Sequence, residues 1–134
     1  MTPIPRKLLP ANASVDSDGH LMIGELDALD LANEFGTPLF VYDENDLRER
    51  ARSAVAAFGD GVAYASKAFL CKAMARLAHE EGMCIDVSTA GELHVALAAG
   101  VPADRLVLHG NNKTDGELTR ARAVGVGRII VVSF

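Results

Sequence analysis

Val62-Ala63-Tyr64-Ala65-Ser66-Lys67-Ala68-Phe69 is the stretch on which the fold turns. Six of its eight residues are apolar, Gly59-Asp60-Gly61 turns the chain into it, and an amphipathic helical pattern follows. A near-continuous apolar run between a turn and a helix predicts a buried parallel strand entering a βα unit. Lys67 is the exception in that run. A lysine near the end of an apolar strand carries its amine out to water along a packed stem, pairs with an acid, or is used covalently. Burial disfavours its charged form, and the neutral amine is the form that attacks carbonyls.

The same form recurs downstream. Strand-like runs begin near Val62, Met83, Leu106 and Arg128, about 22 residues apart. Helix-like runs fill residues 70–80, 91–99 and 115–124, punctuated by Gly82, Gly100 and Gly125. Alternating units of this length predict a parallel sheet covered by helices. An open doubly wound sheet and a closed (β/α)8 barrel both accommodate that. The nucleotide-binding open sheet places G-x-G-x-x-G directly after its first strand. Here Gly59-Asp60-Gly61 and Gly125-Val126-Gly127 both precede a strand, so the barrel is favoured.

Upstream, His20-Leu21-Met22-Ile23-Gly24 reads as a short strand and residues 26–34 as a helix closed at Gly36. Residues 1–20 carry Pro, Ser, Asp and Gly and read as irregular and exposed. Pro38-Leu39-Phe40-Val41-Tyr42 reads as a further strand. Asp43 is suited to cap a helix over Glu44–Phe58, whose Leu47, Ala51, Ala54, Val55 and Phe58 form one apolar face. The expected organisation is an N-terminal segment over 1–36 and the first half of a (β/α)8 TIM-type barrel over 37–134. A complete barrel takes about 250 residues, and a parallel sheet stopped at its fourth regular strand leaves an unpaired edge. The chain therefore reads as the N-terminal portion of a longer protein, ending before barrel closure.

Composition narrows the function classes. The 134 residues are 49% hydrophobic and 23% charged, with a net charge of −5 and no sustained basic run, which argues against nucleic acid or an anionic membrane as partner. The start lacks the apolar core of a secretory signal, and no window approaches the roughly 18 apolar residues of a membrane span. A cytoplasmic protein is the expectation. Cys71 and Cys84 stand at no metal-ligand spacing in apolar contexts and read as buried free thiols. No metal cluster, serine elbow or Walker loop is present in the pattern.

Catalytic groups of a barrel lie at the C-terminal ends of its strands and in the loops that follow. By strand alternation Lys67 shares a face with Ala65 and Ala63, which leaves open space for a bulky planar cofactor. An amine reaching solvent from the strand end is the plainer reading. In Met83-Cys84-Ile85-Asp86-Val87-Ser88, Asp86 falls on the same rim, either to pair with the lysine or orient a cofactor, or merely to cap the next helix. Glu92 suits the first turn of that helix. The run Leu106-Val107-Leu108 leads into His109-Gly110-Asn111-Asn112-Lys113, a loop rich in hydrogen-bonding groups at that rim. His79-Glu80-Glu81 reads as solvated surface and His94 as core.

Four of these stretches together resemble one family. Tyr64-Ala65-Ser66-Lys67-Ala68 is similar to the cofactor-lysine strand of the pyridoxal-phosphate-dependent decarboxylases with an alanine-racemase-like barrel. Phe40-Val41-Tyr42-Asp43, Asp86-Val87-Ser88-Thr89-Ala90-Gly91-Glu92-Leu93 and His109-Gly110-Asn111-Asn112-Lys113 match in the same order and spacing. The resemblance covers residues 20–134 and, within the family, points to the diaminopimelate decarboxylases. Val131-Val132-Ser133-Phe134 departs slightly, because relatives carry an acid before the serine.

The resemblance implies that Lys67 forms the internal aldimine with pyridoxal 5'-phosphate, that Asp86 sits beside cofactor and lysine, and that His109 and Asn111 line the site. It implies decarboxylation of meso-2,6-diaminopimelate to L-lysine by a homodimer. It also implies that the phosphate loop, the acid on the pyridine nitrogen, the substrate arginines and a C-terminal β domain lie beyond residue 134, so the chain alone is expected to be inactive. The competing readings are an ornithine or arginine decarboxylase of the same fold, a non-catalytic binding or regulatory module on that barrel, and an unrelated α/β domain with a strand-end lysine.

Overall fold

A computed structural model describes residues 4–132, and Ser133 and Phe134 of the departing tail lie outside them. Their contacts divide the chain into two compact units, with the division after Arg50.

The first unit contains three short antiparallel strands, β1 (Ser14–Val15), β2 (Leu21–Ile23) and β3 (Leu26–Asp27), and helix α1 (Ala28–Phe35). Ser14 pairs with Met22 and Met22 with Asp27. β2 falls within the expected strand. β1 was not foreseen, since two exposed residues, of which only Val15 is apolar, are too few to show alternation and form a strand only through pairing with β2. Asp27 caps α1 by accepting from the Leu29 N–H at 2.7 Å, and Gly36 follows the helix with φ 79°. Asp43 is buried, accepting from Asn12 Nδ2 at 2.7 Å and from the Asp46 N–H at 3.0 Å. The second of those bonds is the expected cap of α2 (Glu44–Phe58), a helix that continues across the division of the units.

Residues 38–42 are exposed and belong to no strand, contrary to the sequence expectation. Their apolar content suits a strand, but a strand exists only within a sheet, and they join neither sheet of the described residues.

The second unit is a parallel sheet of β4 (Ala63–Ala65), β5 (Cys84–Val87), β6 (Leu106–Leu108) and β7 (Arg128–Ile129) in spatial order β4-β5-β6-β7. Helices α3 (Lys72–Glu80), α4 (Ala90–Ala98) and α5 (Asp115–Val124) connect successive strands, each within two residues of its expected span. Ala65 aligns with Asp86, Asp86 with Val107, and Val107 with Arg128, so the strand ends are in step. Ile85, Val87, Leu106 and Leu108 are fully buried against a helical layer whose contact residues are small: Ala75, Ala78, Ala96, Ala99 and Ala121. Alanines there let helix backbones approach the sheet closely, which is how short helices cover short strands.

Polar clamps close the N-terminal ends of the strands. The Arg105 guanidinium donates to Asp60 and to the Gly82 carbonyl, each at 2.6 Å. Gly127 lies so close to the chain before β6 that a Cβ on it would stand 2.0 Å from the Asp104 carbonyl oxygen. No described helix is long and apolar enough to cross a membrane.

Candidate functional site

The C-terminal ends of β4, β5 and β6 carry the residues singled out in the sequence. Lys67 is not on the strand. β4 ends at Ala65, and residues Ser66–Ala68 form a 3-10 turn that packs against β5. Tyr64 Oη donates to the Phe69 carbonyl at 2.6 Å, folding the chain back over that turn. Period-two alternation therefore stops before Lys67, and the side chain is exposed rather than held in a buried strand. Its amine makes no hydrogen bond or ion pair among the described residues. Ser66 beside it is 2% exposed, and its hydroxyl has no partner.

Asp86 and His109 are brought together. Asp86 Oδ2 lies 3.3 Å from His109 Nδ1, and the His109 N–H donates to the Val87 carbonyl at 2.8 Å. The other carboxylate oxygen of Asp86, Oδ1, is buried without a partner. A buried carboxylate oxygen lacking a donor is costly unless something else supplies one. Asn111, exposed in the same loop, is brought to no partner among the described residues, while Lys113 turns back to the Gly110 carbonyl at 2.7 Å.

Asp86 does not cap the following helix. Thr89 does, in a reciprocal box with Glu92, and Thr114 with Glu117 repeats the device at α5. Glu92 is thus more than a residue suited to the helix dipole, since its carboxylate also accepts from the Ser88 and Thr89 N–H groups. Glu117 reaches further still. One oxygen accepts from the Thr114 N–H and hydroxyl, each at 2.9 Å, and the other from the Ala90 N–H at 3.1 Å across the gap between loops. The Thr114 N–H first, then the Thr114 hydroxyl and the Ala90 N–H, hold its carboxyl below the usual range. Glu117 and Ser66 were missed as site residues. The T-x-x-E spacing at 89–92 and 114–117 was the available signal for the boxes, and nothing in the pattern marks the cross-loop reach.

Two histidines differ from expectation. His94 is exposed, because Leu93 and Ala96 turn inward and leave position 94 on the outer face of α4. His79 is half-buried with Nδ1 unpartnered, and Glu81 pairs with Arg52 at 3.5 Å, so that stretch is not simply solvated. Both cysteines are free. Cys84 is buried, whereas Cys71 is half-buried and its sulfur accepts from the Met74 N–H at the start of α3.

Residues 44–134 match the family described as pyridoxal-dependent decarboxylase, pyridoxal binding domain. Among curated proteins, the diaminopimelate decarboxylase of Mycobacterium tuberculosis is 53% identical over 127 residues, 93% of this chain and 28% of that protein. The chain thus spans about 28% of the length of the curated relatives it matches. The solved diaminopimelate decarboxylase from M. jannaschii in complex with L-lysine aligns with TM-score 0.84 at 30% identity, covering 91% of this chain and 30% of that one. A lysine/ornithine decarboxylase from Vibrio vulnificus, 24% identical with TM-score 0.74 over 90% of this chain and 32% of that one, shares the fold.

Proposed function

This chain belongs to the pyridoxal-dependent decarboxylases, and from that membership we propose that the protein it forms part of converts meso-2,6-diaminopimelate to L-lysine. The 53% identity to a diaminopimelate decarboxylase across 93% of the chain carries the choice of substrate. In this reading residues 1–36 are an N-terminal segment associated with a β domain, and 37–134 are the first half of a (β/α)8 barrel.

The residues fit pyridoxal phosphate at its reactive edge. Lys67 offers an exposed, unengaged amine, and the turn that carries it packs against the strand of Asp86. Asp86 offers a buried oxygen still lacking a donor. When bound, the cofactor supplies an electron sink for the carbanion left as carbon dioxide departs. Lys67 holds it covalently through its amine and takes or returns a proton at Nζ. Asp86 would hold the bound group in place by accepting a proton donor at Oδ1, the atom left without a partner. His109, beside Asp86 through Nδ1, and Asn111 in the same loop would line that edge. The two free cysteines fit a reducing cytoplasm, and a homodimer is part of the same reading.

The complete protein, supplied with pyridoxal phosphate and meso-diaminopimelate, is expected to release carbon dioxide and lysine in equal amounts, and far more slowly with ornithine or arginine. Turnover of ornithine or arginine in preference to diaminopimelate would assign a different decarboxylase, and turnover of none of them would leave only a non-catalytic module.

A further inference from the structure

We propose that Glu117 is a positioning residue, strapping the loop after β5 to the loop after β6 so that Asp86 and His109 keep their places at the rim. The inference rests on the reading of that rim as the cofactor site, and it adds a residue outside it. A capping glutamate needs only its own helix. Glu92 conforms, since among the described residues its carboxylate accepts from Ser88, Thr89 and no more distant group. Glu117 does not conform, because one of its oxygens leaves its own helix for the Ala90 N–H, 27 positions earlier in the chain. It thereby sits between the starts of α4 and α5, where both helix dipoles and three donors favour a carboxylate over a neutral acceptor.

The strap matters because the β5–β6 ladder ends at the Val87–Leu108 pair. Past it, among the described residues, the Asp86–His109 contact is long at 3.3 Å and the His109 N–H donates to the Val87 carbonyl. Gly110 lies against Ser88, where a Cβ would meet the Ser88 carbonyl oxygen at 3.5 Å, so the loops touch there. Asp86 Oδ1 has no partner to hold the carboxylate if the loops part. Misplacement of a reacting group by about 1 Å costs on the order of a hundredfold in rate, so a strap one layer away has leverage on chemistry it never touches.

The test compares Glu117→Ala, Glu117→Gln and Thr114→Ala in the complete protein. Thr114→Ala removes the capping hydroxyl but leaves Glu117 on Ala90. In the cofactor-free protein, Glu117→Ala is expected to speed amide exchange about tenfold at both Ala90 and His109. In the loaded protein it is expected to move the pH midpoint of the lysine–cofactor absorption band by about half a unit. It should also lower kcat about tenfold with KM within about twofold. Glu117→Gln, keeping one acceptor oxygen, should recover part of each, and it carries the comparison if the alanine variant does not fold. Thr114→Ala should lower Tm while leaving the band midpoint and His109 exchange unchanged. An unaltered band and unaltered His109 exchange in the Glu117 variants, or an equal change in Thr114→Ala, would reduce Glu117 to an ordinary helix cap. If the unsubstituted protein forms no bond to pyridoxal phosphate at Lys67, the cofactor reading fails instead, and the exchange measurement still decides the strap.

Discussion

Gly127 accepts no side chain, since a Cβ there would press into the Asp104 backbone at 2.0 Å, and backbone cannot swing aside as a flexible side chain can. Gly127→Ala is expected to cost about 1–3 kcal/mol or more, read as a lower urea midpoint with unchanged slope. An unaltered midpoint would mean that the chain before β6 yields freely. Position 127 was legible in the sequence only as turn chemistry, because the close approach depends on a segment 23 residues away. Asp86 and His109 were legible for the opposite reason. Each stands within one residue of where an apolar strand becomes polar, and parallel strands in step bring such ends together. Lys67 was recognised by kind and misplaced by geometry, because alternation was carried past Ala65 into a turn that Tyr64 closes.

The parallel strands and the helices between them were readable from periodicity because each helix and strand hides a continuous apolar face, and the misses lie where pairing partners decide. β1 is too short to show alternation, and residues 38–42 have an apolar run but join no described strand. Helix ends are set locally by the two threonine–glutamate boxes. Thr89→Ala is expected to cost about 1 kcal/mol, visible in the denaturation midpoint, and no change would mean that Glu92 alone fixes the loop. In the sheet, Leu106 is fully buried in the middle of the core cluster. Leu106→Ala is expected to cost about 2–5 kcal/mol, and a cost below that of Thr89→Ala would contradict the core assignment.

Across the molecule, acid should weaken both units. Hydrogen bonding holds four carboxyls below their usual range: the Leu29 N–H on Asp27, Arg50 on Asp46, Arg105 on Asp60 and the Thr114 N–H on Glu117. A lowered folded-state value contributes stability that is present above the ordinary carboxylate pKa of about 4 and is lost as pH falls through the lowered values. His20 has the opposite sign. Its hydrogen bond with Asp27 raises it, so its contribution is present below the ordinary value of about 6.5 and is lost as pH rises through the raised one. Tm is therefore expected to decline below about pH 4 and to soften slightly above neutrality; a Tm unchanged between pH 7 and pH 3 would contradict these pairs. The 134 residues, spanning about 28% of the relatives' length, are expected to make no lysine when supplied alone with pyridoxal phosphate and meso-diaminopimelate.

The role of Lys67 is the claim on which the rest depends, and one measurement reaches it directly. The complete protein is incubated with pyridoxal phosphate, reduced with borohydride, digested and mapped by mass spectrometry. The reduced cofactor is expected on the peptide carrying Lys67, and its loss is expected in Lys67→Ala. Attachment at another lysine, or at none, would contradict it.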